Sequence, residues 1–242
     1  IPPSIFNDVI GPIMRGPSSS HCAAALRIGR IARDLMKNDI EKVLIEFDKN
    51  GSLATTHKSQ GSDMGLFGGL LGYDADDERL INSETAIAEA GIKIEIKIHS
   101  IGFIHPNTYK LTLTNKNNQH QIIAVSTGGG MIEVIELDGV PISINGDYFE
   151  TIIYTKKDGE KIQHEILSKI SADEIVYLKG NGFEIVEIKS QNFVIEFLKA
   201  KILAMENVLD IKEINPVLPI LSTKSTSIPF ITCKPVHARK HL

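Results

Sequence analysis

The densest group of potentially reactive side chains is the segment Gly16-Pro17-Ser18-Ser19-Ser20-His21, called here the serine turn (residues 16–21). A run with helical apolar spacing follows it, so we expect the turn to open a helix. Free backbone N–H groups and the helix dipole favour an anion there, and three hydroxyls add uncharged donors. A small carboxylate or phosphate would fit. Alternatively, one serine caps the helix and the others meet solvent.

His21 adjoins this turn and is a candidate acid, base or hydrogen-bond donor, with a structural role as the alternative. The elements that would position it are predicted as helices, strands and one long loop. Helices are predicted over about 21–37, 63–71 and 83–90. Asp63 is expected to cap the second of these helices and Ser83 the third, which ends at Gly91. The strands cover 43–47, 92–98, 109–114, 121–126 and 131–137, with a loop at 49–62. Residues 1–147 are therefore predicted to form an α+β domain.

The second part of the chain has the predicted order β-α-β-β-α-β, which is that of a ferredoxin-like unit, over residues 148–216. Its strands cover 151–156, 174–178, 183–188 and 209–214, and its helices cover 160–170 and 193–206. The Asp158-Gly159 pair follows the first strand, where a ligand-binding loop or a plain turn are both possible. Residues 217–242 are predicted to be an irregular basic tail, which is either a docking arm or simply solvated.

Composition narrows the classes of function. The formal net charge of −4 argues against nucleic acid as a partner. Hydrophobic residues make up 42% of the chain, which excludes a disordered protein, and no apolar run is long enough to span a membrane. No signal peptide is visible, and two cysteines cannot make a disulfide framework, so we expect a cytoplasmic protein.

Six motifs occur in an order that resembles the β subunit, or β domain, of the bacterial iron–sulfur L-serine dehydratases. The first is the serine turn with its Arg-Ile-Gly helix. The others are Asn50-Gly51-Ser52-Leu53-Ala54, Lys58-Ser59-Gln60-Gly61-Ser62-Asp63, Gly72-Tyr73-Asp74 with Asp76-Asp77-Glu78-Arg79, His105-Pro106-Asn107-Thr108 and Ser126-Thr127-Gly128-Gly129-Gly130. Each motif alone is weak, but six in order over about residues 5–140 are specific.

The resemblance implies an enzyme that eliminates water from L-serine to give pyruvate and ammonia, without pyridoxal phosphate. A [4Fe–4S] cluster held by three cysteines of an α chain would act as Lewis acid on the substrate hydroxyl. This chain would hold no metal, would be inactive alone and would work in an oligomer with the α chain. The implied fold is similar to the allosteric substrate-binding domain of phosphoglycerate dehydrogenases, followed by an ACT-type domain.

The resemblance also implies roles for particular residues. Ser18, Ser19 and Ser20 would face the substrate carboxylate or close the site against the α chain. His21 and His105 would be catalytic or orienting groups, and Asn107 a fixed amide. Gly128, Gly129 and Gly130 would let backbone approach the α chain or an anion, although a bulge is the alternative. Asp63 is either a substrate-binding residue or only a helix cap. The remaining histidines are predicted to be surface or structural residues.

Two departures from the family pattern bear on substrate specificity. The family's histidine in the third motif is Gln60 here, which cannot take a proton near neutral pH. Its usual threonine after the serine turn is Cys22, either a buried small residue or a ligand or redox-sensitive group. The alternatives to a serine dehydratase β subunit are therefore a relative acting on another β-substituted amino acid and a non-catalytic amino-acid-binding or assembly module. A third possibility is that this chain is the N-terminal part of a fusion protein, with the irregular tail from Pro216 as its linker.

Overall fold

The computed structural model describes residues 13–102 and 105–218. This part of the chain forms helices and two sheets, which confirms the predicted α+β class. The helices are α1 (Ser19–Leu35), α2 (Leu53–Thr56), α3 (Ser62–Leu71), a 3-10 helix (Glu78–Asn82), α4 (Ser83–Glu89), α5 (Gly159–Leu167) and α6 (Glu196–Leu203). The strands are β1 (Lys42–Asp48), β2 (Lys93–His99), β3 (Thr108–Thr114), β4 (Gln119–Gly128), β5 (Met131–Leu137), β6 (Val140–Ile144), β7 (Phe149–Thr155), β8 (Glu174–Lys179), β9 (Glu184–Ser190) and β10 (Val208–Ile214).

The first sheet has the strand order β2-β1-β3-β4-β5-β6. Strands β1 and β2 run parallel, and every other neighbouring pair is antiparallel. Alternate residues of β1, such as Val43 and Ile45, are fully buried and share one core with Ile28 and Leu35 of α1. The face of the sheet formed by alternate, buried strand residues therefore packs against the apolar side of α1.

Helices α1 and α3 cross with their backbones almost in contact. A Cβ atom added to Gly65 would lie closer than 3 Å to the carbonyl oxygen of Cys22, and one added to Gly69 would lie equally close to that of Leu26. Gly29 of α1 meets the backbone of α3 in the same way. These three glycines bring the start of α3 beside the serine turn.

Several predicted element boundaries were wrong in informative ways. Helix α1 begins at Ser19 rather than near His21, and α2 lies inside the predicted loop. The N-cap of α3 is Gly61, in the left-handed region at φ 83°, and not Asp63. Likewise the N-cap of α4 is Asn82, while the Ser83 hydroxyl donates to the Met64 carbonyl at 2.9 Å. Strand β6 was not predicted, because its alternation is short and contains proline.

The second sheet has the strand order β10-β7-β9-β8, with all neighbours antiparallel. This confirms the predicted β-α-β-β-α-β order over β7 to β10. One face packs on α5 and α6 through a cluster that includes Ile153, Ile188 and Ile202. The opposite face carries Ile152 and Ile185, which belong to the same core as the first sheet.

Polar contacts also join α1 to the second sheet. Lys37 Nζ lies 2.7 Å from Asp210 Oδ1, and the Asn215 N–H donates to Asp34 Oδ2 at 2.8 Å. The boundaries at 147 and 216 stay predictions, and the predicted basic tail lies outside the described residues from 219 onward. In the described ranges, none of the helices has the length and apolar character needed to cross a bilayer.

Two buried carboxyl groups lie where the second sheet faces the first. Glu150 is 1% exposed, and neither of its carboxyl oxygens has a hydrogen-bond partner among the described residues. Burial, with a smaller contribution from Glu187, raises the pKa of Glu150 to about 9. Burial also raises the pKa of Glu187 to about 7, against the opposing charge of Lys189. Asp147 and Glu174 add further negative charge around Glu150.

Replacing Glu150 with glutamine is expected to stabilise the chain at alkaline pH. The unfolded carboxyl ionises near pH 4.3, whereas the folded one keeps its proton until about pH 9. The unfolded state therefore binds fewer protons between these values, so stability falls as pH rises through that window. We expect Glu150→Gln to raise the free energy of unfolding by about 1–3 kcal/mol at pH 8 and to change it little at pH 4.5, as measured by urea denaturation.

The matched control for this prediction is Glu206→Gln, which changes an exposed carboxyl after α6. It should leave the pH dependence of unfolding as it is in the unaltered chain. Equal pH profiles for the unaltered chain and the Glu150→Gln variant would contradict the prediction.

Candidate functional site

Ser18 occupies the N-cap position of α1, but its side chain does not cap the helix backbone. Its backbone is extended at φ −119° and ψ 99°, and Ser18 Oγ lies 2.7 Å from His21 Nδ1. No described side chain accepts a hydrogen bond from the first-turn N–H groups of α1. Among the described residues these N–H groups are therefore uncapped, and the side chain of Ser18 contacts His21 instead.

The serine turn lies against the third sequence motif. The Ser18 N–H donates to the Gln60 carbonyl at 3.2 Å. Pro17 packs on Gly61, where an added Cβ would come within 2.8 Å of the proline ring, so this close approach and the positive φ both require glycine. The two segments thus form one polar surface, called here the α1–α3 site (residues 16–21 and 57–63).

His57 and Asp63 form a half-buried pair inside this site. His57 Nδ1 lies 2.7 Å from Asp63 Oδ1 and 2.9 Å from Oδ2, and the two side chains are 18% and 15% exposed. Because a carboxylate only accepts hydrogen bonds, Nδ1 must carry the proton. In the neutral ring, Nε2 then keeps its lone pair, which is the arrangement of a histidine base oriented by a carboxylate.

Aromatic rings enclose the back of His57. The Phe47 ring lies 5.1 Å from the His57 ring and 5.6 Å from the Tyr109 ring. Tyr109 is fully buried, and its hydroxyl lies near Ser62 without a well-directed hydrogen bond. Burial, with the charge of Asp63, raises the pKa of Tyr109, so its hydroxyl stays protonated. One wall of the pair is therefore apolar and closed to water.

Gln60 is turned toward the protein. Its side-chain nitrogen Nε2 donates to Ser62 Oγ at 3.2 Å, which fixes the amide beside the start of α3. Gln60 does not supply a titratable group, and the histidine and carboxylate in residues 57–63 are His57 and Asp63, which form the pair described above. His57, predicted to be a surface or structural residue, is half-buried, and Asp63 binds it instead of capping α3.

His105 and Asn107 lie in a separate polar cluster. His105 is exposed, and its Nδ1 accepts from the Asn107 N–H at 3.2 Å. Ser52 Oγ donates to the Asn107 side-chain oxygen, and the Ser126 N–H donates to the Asn107 carbonyl at 3.1 Å. This cluster makes no hydrogen bond to the serine turn among the described residues. Helix α2 connects this cluster to the α1–α3 site along the chain, since it begins after Ser52 and ends before His57.

The glycine triplet at the end of β4 adopts the backbone geometry that only glycine tolerates well. Gly128, Gly129 and Gly130 have φ values of 110°, 61° and 85°. Arg27 of α1 is buried and donates to the Gly130 carbonyl. Burial lowers the pKa of Arg27 to about 10, and the guanidinium remains charged. The triplet therefore reaches α1 directly through Gly130, while, apart from the chain neighbours, no heavy atom of the described residues lies within 4 Å of a Cβ position at Gly128 or Gly129.

Cys22 is fully buried against the crossing of α1 and α3, and burial raises its thiol pKa to about 11. The prediction of a buried small residue is confirmed, and this environment suits neither a thiolate ligand nor a redox-sensitive thiol. Cys233 lies outside the described residues. Across the described ranges, no group of three or more His, Cys, Asp and Glu side chains is arranged to hold a metal ion.

The other described histidines have structural or surface positions. His99 Nε2 lies 2.8 Å from Glu46 Oε1, and His120 Nδ1 lies 2.7 Å from Asp138 Oδ2. His164 is exposed on α5. Phe47, Tyr109 and Arg27 were not predicted to be residues of the site. Only Arg27 could have been recognised from the sequence, because its charge interrupts the apolar side of α1.

These features define a class of protein: an α+β chain with a polar site where α1 and α3 begin, joined to a ferredoxin-like unit. The family model described as serine dehydratase beta chain matches residues 8–136. The chain belongs to the serine dehydratase beta chain family, as its motifs predict.

Two curated relatives support this membership. The chain is 44% identical over 146 residues to the probable L-serine dehydratase, beta chain, of Bacillus subtilis (strain 168), a match that covers 60% of this chain and 64% of the relative. It is 32% identical over 186 residues to the L-serine dehydratase, beta chain, of Peptoniphilus asaccharolyticus, which covers 76% of this chain and 79% of the relative. The match to the Bacillus relative thus spans less than two thirds of that protein.

Proposed function

We propose that this chain is the β subunit of an iron–sulfur L-serine dehydratase, which converts L-serine to pyruvate and ammonia. Its family membership and the names of both relatives support this assignment. The observation that carries the proposal is the α1–α3 site, where uncapped N–H groups, Ser18 with His21, and His57 with Asp63 lie on adjoining segments.

The start of α1 is the proposed binding place for the substrate carboxylate. Its first-turn N–H groups and the positive end of the helix dipole favour a negative charge. Ser19 and Ser20 add hydroxyl donors, and the hydrogen bond from Ser18 holds His21 beside the same position. An α-amino acid bound by its carboxylate would hold Cα and its substituents beyond the end of the helix.

The elimination needs one group to remove the Cα proton and another to deliver a proton to the leaving hydroxyl. The Cα–H bond breaks as the double bond to Cβ forms, the Cβ–O bond breaks, and the hydroxyl leaves as water. The resulting enamine tautomerises to an imine, and hydrolysis gives pyruvate and ammonia. His57, with Nε2 unprotonated and Asp63 on Nδ1, is the proposed proton acceptor, and His21 is the proposed orienting or proton-donating group.

The [4Fe–4S] cluster of this proposal belongs to an α chain. The chain has two cysteines, and Cys22 is closed off inside the helix crossing, so its own residues do not fit a cluster. His105, Asn107 and the glycine triplet are the proposed contacts to the α chain, which would complete the site. The same proposal makes the β chain inactive alone and needs no pyridoxal phosphate.

We also propose two fold relationships for the halves of the chain. The β10-β7-β9-β8 order is compatible with an ACT-type unit over residues 148–216, and the first sheet with α1 and α3 is compatible with the allosteric substrate-binding domain of phosphoglycerate dehydrogenases.

A second candidate function is an amino-acid-binding or assembly module that retains the fold without catalysis. Gln60 favours it, because the side chain that stands in the family's histidine position is committed to Ser62. Gln60 equally favours a related enzyme that acts on a β-substituted amino acid other than serine.

The test is coexpression with an α-type chain, anaerobic purification, and measurement of iron content and pyruvate formed from L-serine. We expect pyruvate formation that needs both chains. An iron-loaded complex without pyruvate from L-serine would point to a changed substrate. Tight serine binding by the isolated chain, with no turnover after the α chain is added, would favour the binding module.

A further inference from the structure

Strand β2 lies at one edge of the first sheet. Among the described residues its sheet neighbour is β1, with which it pairs in parallel from Lys42↔Lys93 to Asp48↔His99 without a register shift. The opposite edge strand, β6, contains Pro141 and pairs irregularly with β5. Proline, irregular pairing and charged side chains are the usual protections of a sheet edge, and of these β2 has only the charges of Lys93, Glu95 and Lys97.

The backbone directions in β2 follow from its bonds to the β1 side. The Lys93 N–H donates to the Glu41 carbonyl at 2.8 Å, and the His99 carbonyl accepts from the Lys49 N–H at 2.9 Å. Residues with odd numbers therefore direct their backbone groups toward β1. Ile94, Ile96 and Ile98, by alternation, direct their N–H and C=O groups outward.

The side chains of β2 separate into an apolar and a charged face. The isoleucines continue the apolar face of β1, since Val43 lies opposite Ile94 and Phe47 lies opposite Ile98. Ile98 nevertheless remains 47% exposed. The other face carries the charged side chains of Lys93, Glu95 and Lys97, followed by His99.

We propose that β2 pairs antiparallel with β2 of a second copy of this chain, about a two-fold axis at Ile96. In this register Ile96 faces itself across the axis, Ile94 faces Ile98, and Glu95 faces Lys97. Because the backbone N–H and C=O groups of Ile94, Ile96 and Ile98 point outward, the isoleucine pairs are the hydrogen-bonded pairs of the ladder between the two copies. The Glu95–Lys97 pairs then occupy the closely spaced, non-hydrogen-bonded positions and occur twice by symmetry.

Other registers bring like charges together. An axis at Glu95 places this carboxylate opposite its own copy and Lys93 opposite Lys97. An axis at Lys97 places that ammonium group opposite its own copy. Among registers that pair at least five residues of β2, only the axis at Ile96 matches Glu95 with Lys97. Since directly opposed like charges destabilise antiparallel pairs, the charged face selects this register.

The first test is the self-association of the full chain by sedimentation equilibrium. We expect a dimer, and we expect Lys97→Glu to raise its dissociation constant at least tenfold, because both symmetric pairs then oppose two carboxylates. The double variant Glu95→Lys with Lys97→Glu restores opposite charges and is expected to recover most of the loss. Lys116→Glu makes the same charge change at an exposed hairpin position and should leave association unchanged.

The second test is disulfide cross-linking of single-cysteine variants in a Cys233→Ser background. Ile96→Cys is expected to link two copies on oxidation, because Cα atoms in a hydrogen-bonded pair are about 5.5 Å apart, within disulfide range. Ile98→Cys should not link to itself, since its partner is Ile94. The remaining native cysteine, Cys22, is buried and serves all variants as a common background.

Three outcomes would overturn the proposal. The first is that the full chain remains monomeric even at a concentration 100-fold above its detection limit by absorbance. The second is a dimer that withstands Lys97→Glu, or that Ile98→Cys links as readily as Ile96→Cys. The third is amide-exchange protection of residues 94, 96 and 98 that arises only when a different protein is added, which would assign the edge to that partner.

Discussion

Replacing His57 with glutamine is expected to lower kcat/KM for pyruvate formation from L-serine by roughly 10²- to 10³-fold in the complex with an α chain. Glutamine can still contact Asp63 but cannot accept a proton, so the loss should fall mainly on kcat. The half-buried pair against Phe47 gives the reason to expect an effect of this size, because the ring is oriented and partly shielded from water. Steady-state kinetics over pH 6–9 would measure it.

Two comparisons separate proton transfer from a structural effect. Asp63→Asn should shift the pH profile of kcat, because an amide supports the charged imidazole less well than a carboxylate does. His164→Gln removes an exposed histidine on α5 and should change neither kcat nor the profile. A His57→Gln complex that assembles normally and keeps both the rate and the pH profile would contradict the role assigned to His57.

Replacing Gly69 with alanine is expected to cost about 3 kcal/mol or more of unfolding free energy, or to prevent folding. The added Cβ would press on the Leu26 carbonyl and on the backbone of Gly29 and Arg30. All of these are backbone atoms of a packed helix, so neither helix can yield locally. The loss should exceed the usual gain of helix propensity from alanine, which is about 1 kcal/mol.

The matched control lies one residue earlier on the same helix. A Cβ at Gly68 would meet the end of the Leu80 side chain, which can change rotamer. Gly68→Ala should therefore lose clearly less stability than Gly69→Ala in urea denaturation at constant pH. Equal losses for the two variants would mean that the helix crossing does not depend on backbone contact at Gly69.

The helix and strand pattern could be predicted where apolar periodicity is strong. Helix α1, strand β1 and the β-α-β-β-α-β unit were all expected from spacing alone. Helix α2 could not be, because its four residues bury only Leu53 and carry no period. The start of α3 was misassigned because Asp63 resembles a cap, while its carboxylate is occupied by a histidine six positions earlier.

The candidate site was predicted in part. The serine turn and His21 were found because glycine, proline and hydroxyl residues precede a helix. His57 was predicted to be a surface or structural residue, because its partner is defined by the fold around α2 and Gly61 and not by any helical or strand spacing. Tyr109 and Phe47 read as ordinary strand residues, and only their convergence behind the imidazole gives them a place at the site.

The apolar core described above includes residues of both sheets, such as Ile144 of the first and Ile152, Ile185 and Ile214 of the second. Folding cooperativity follows from shared burial, because one half cannot unfold without exposing the apolar surface of the other. The two halves should therefore melt in a single transition. A chain cut between β6 and β7 would leave a large apolar surface open to water and would tend to aggregate.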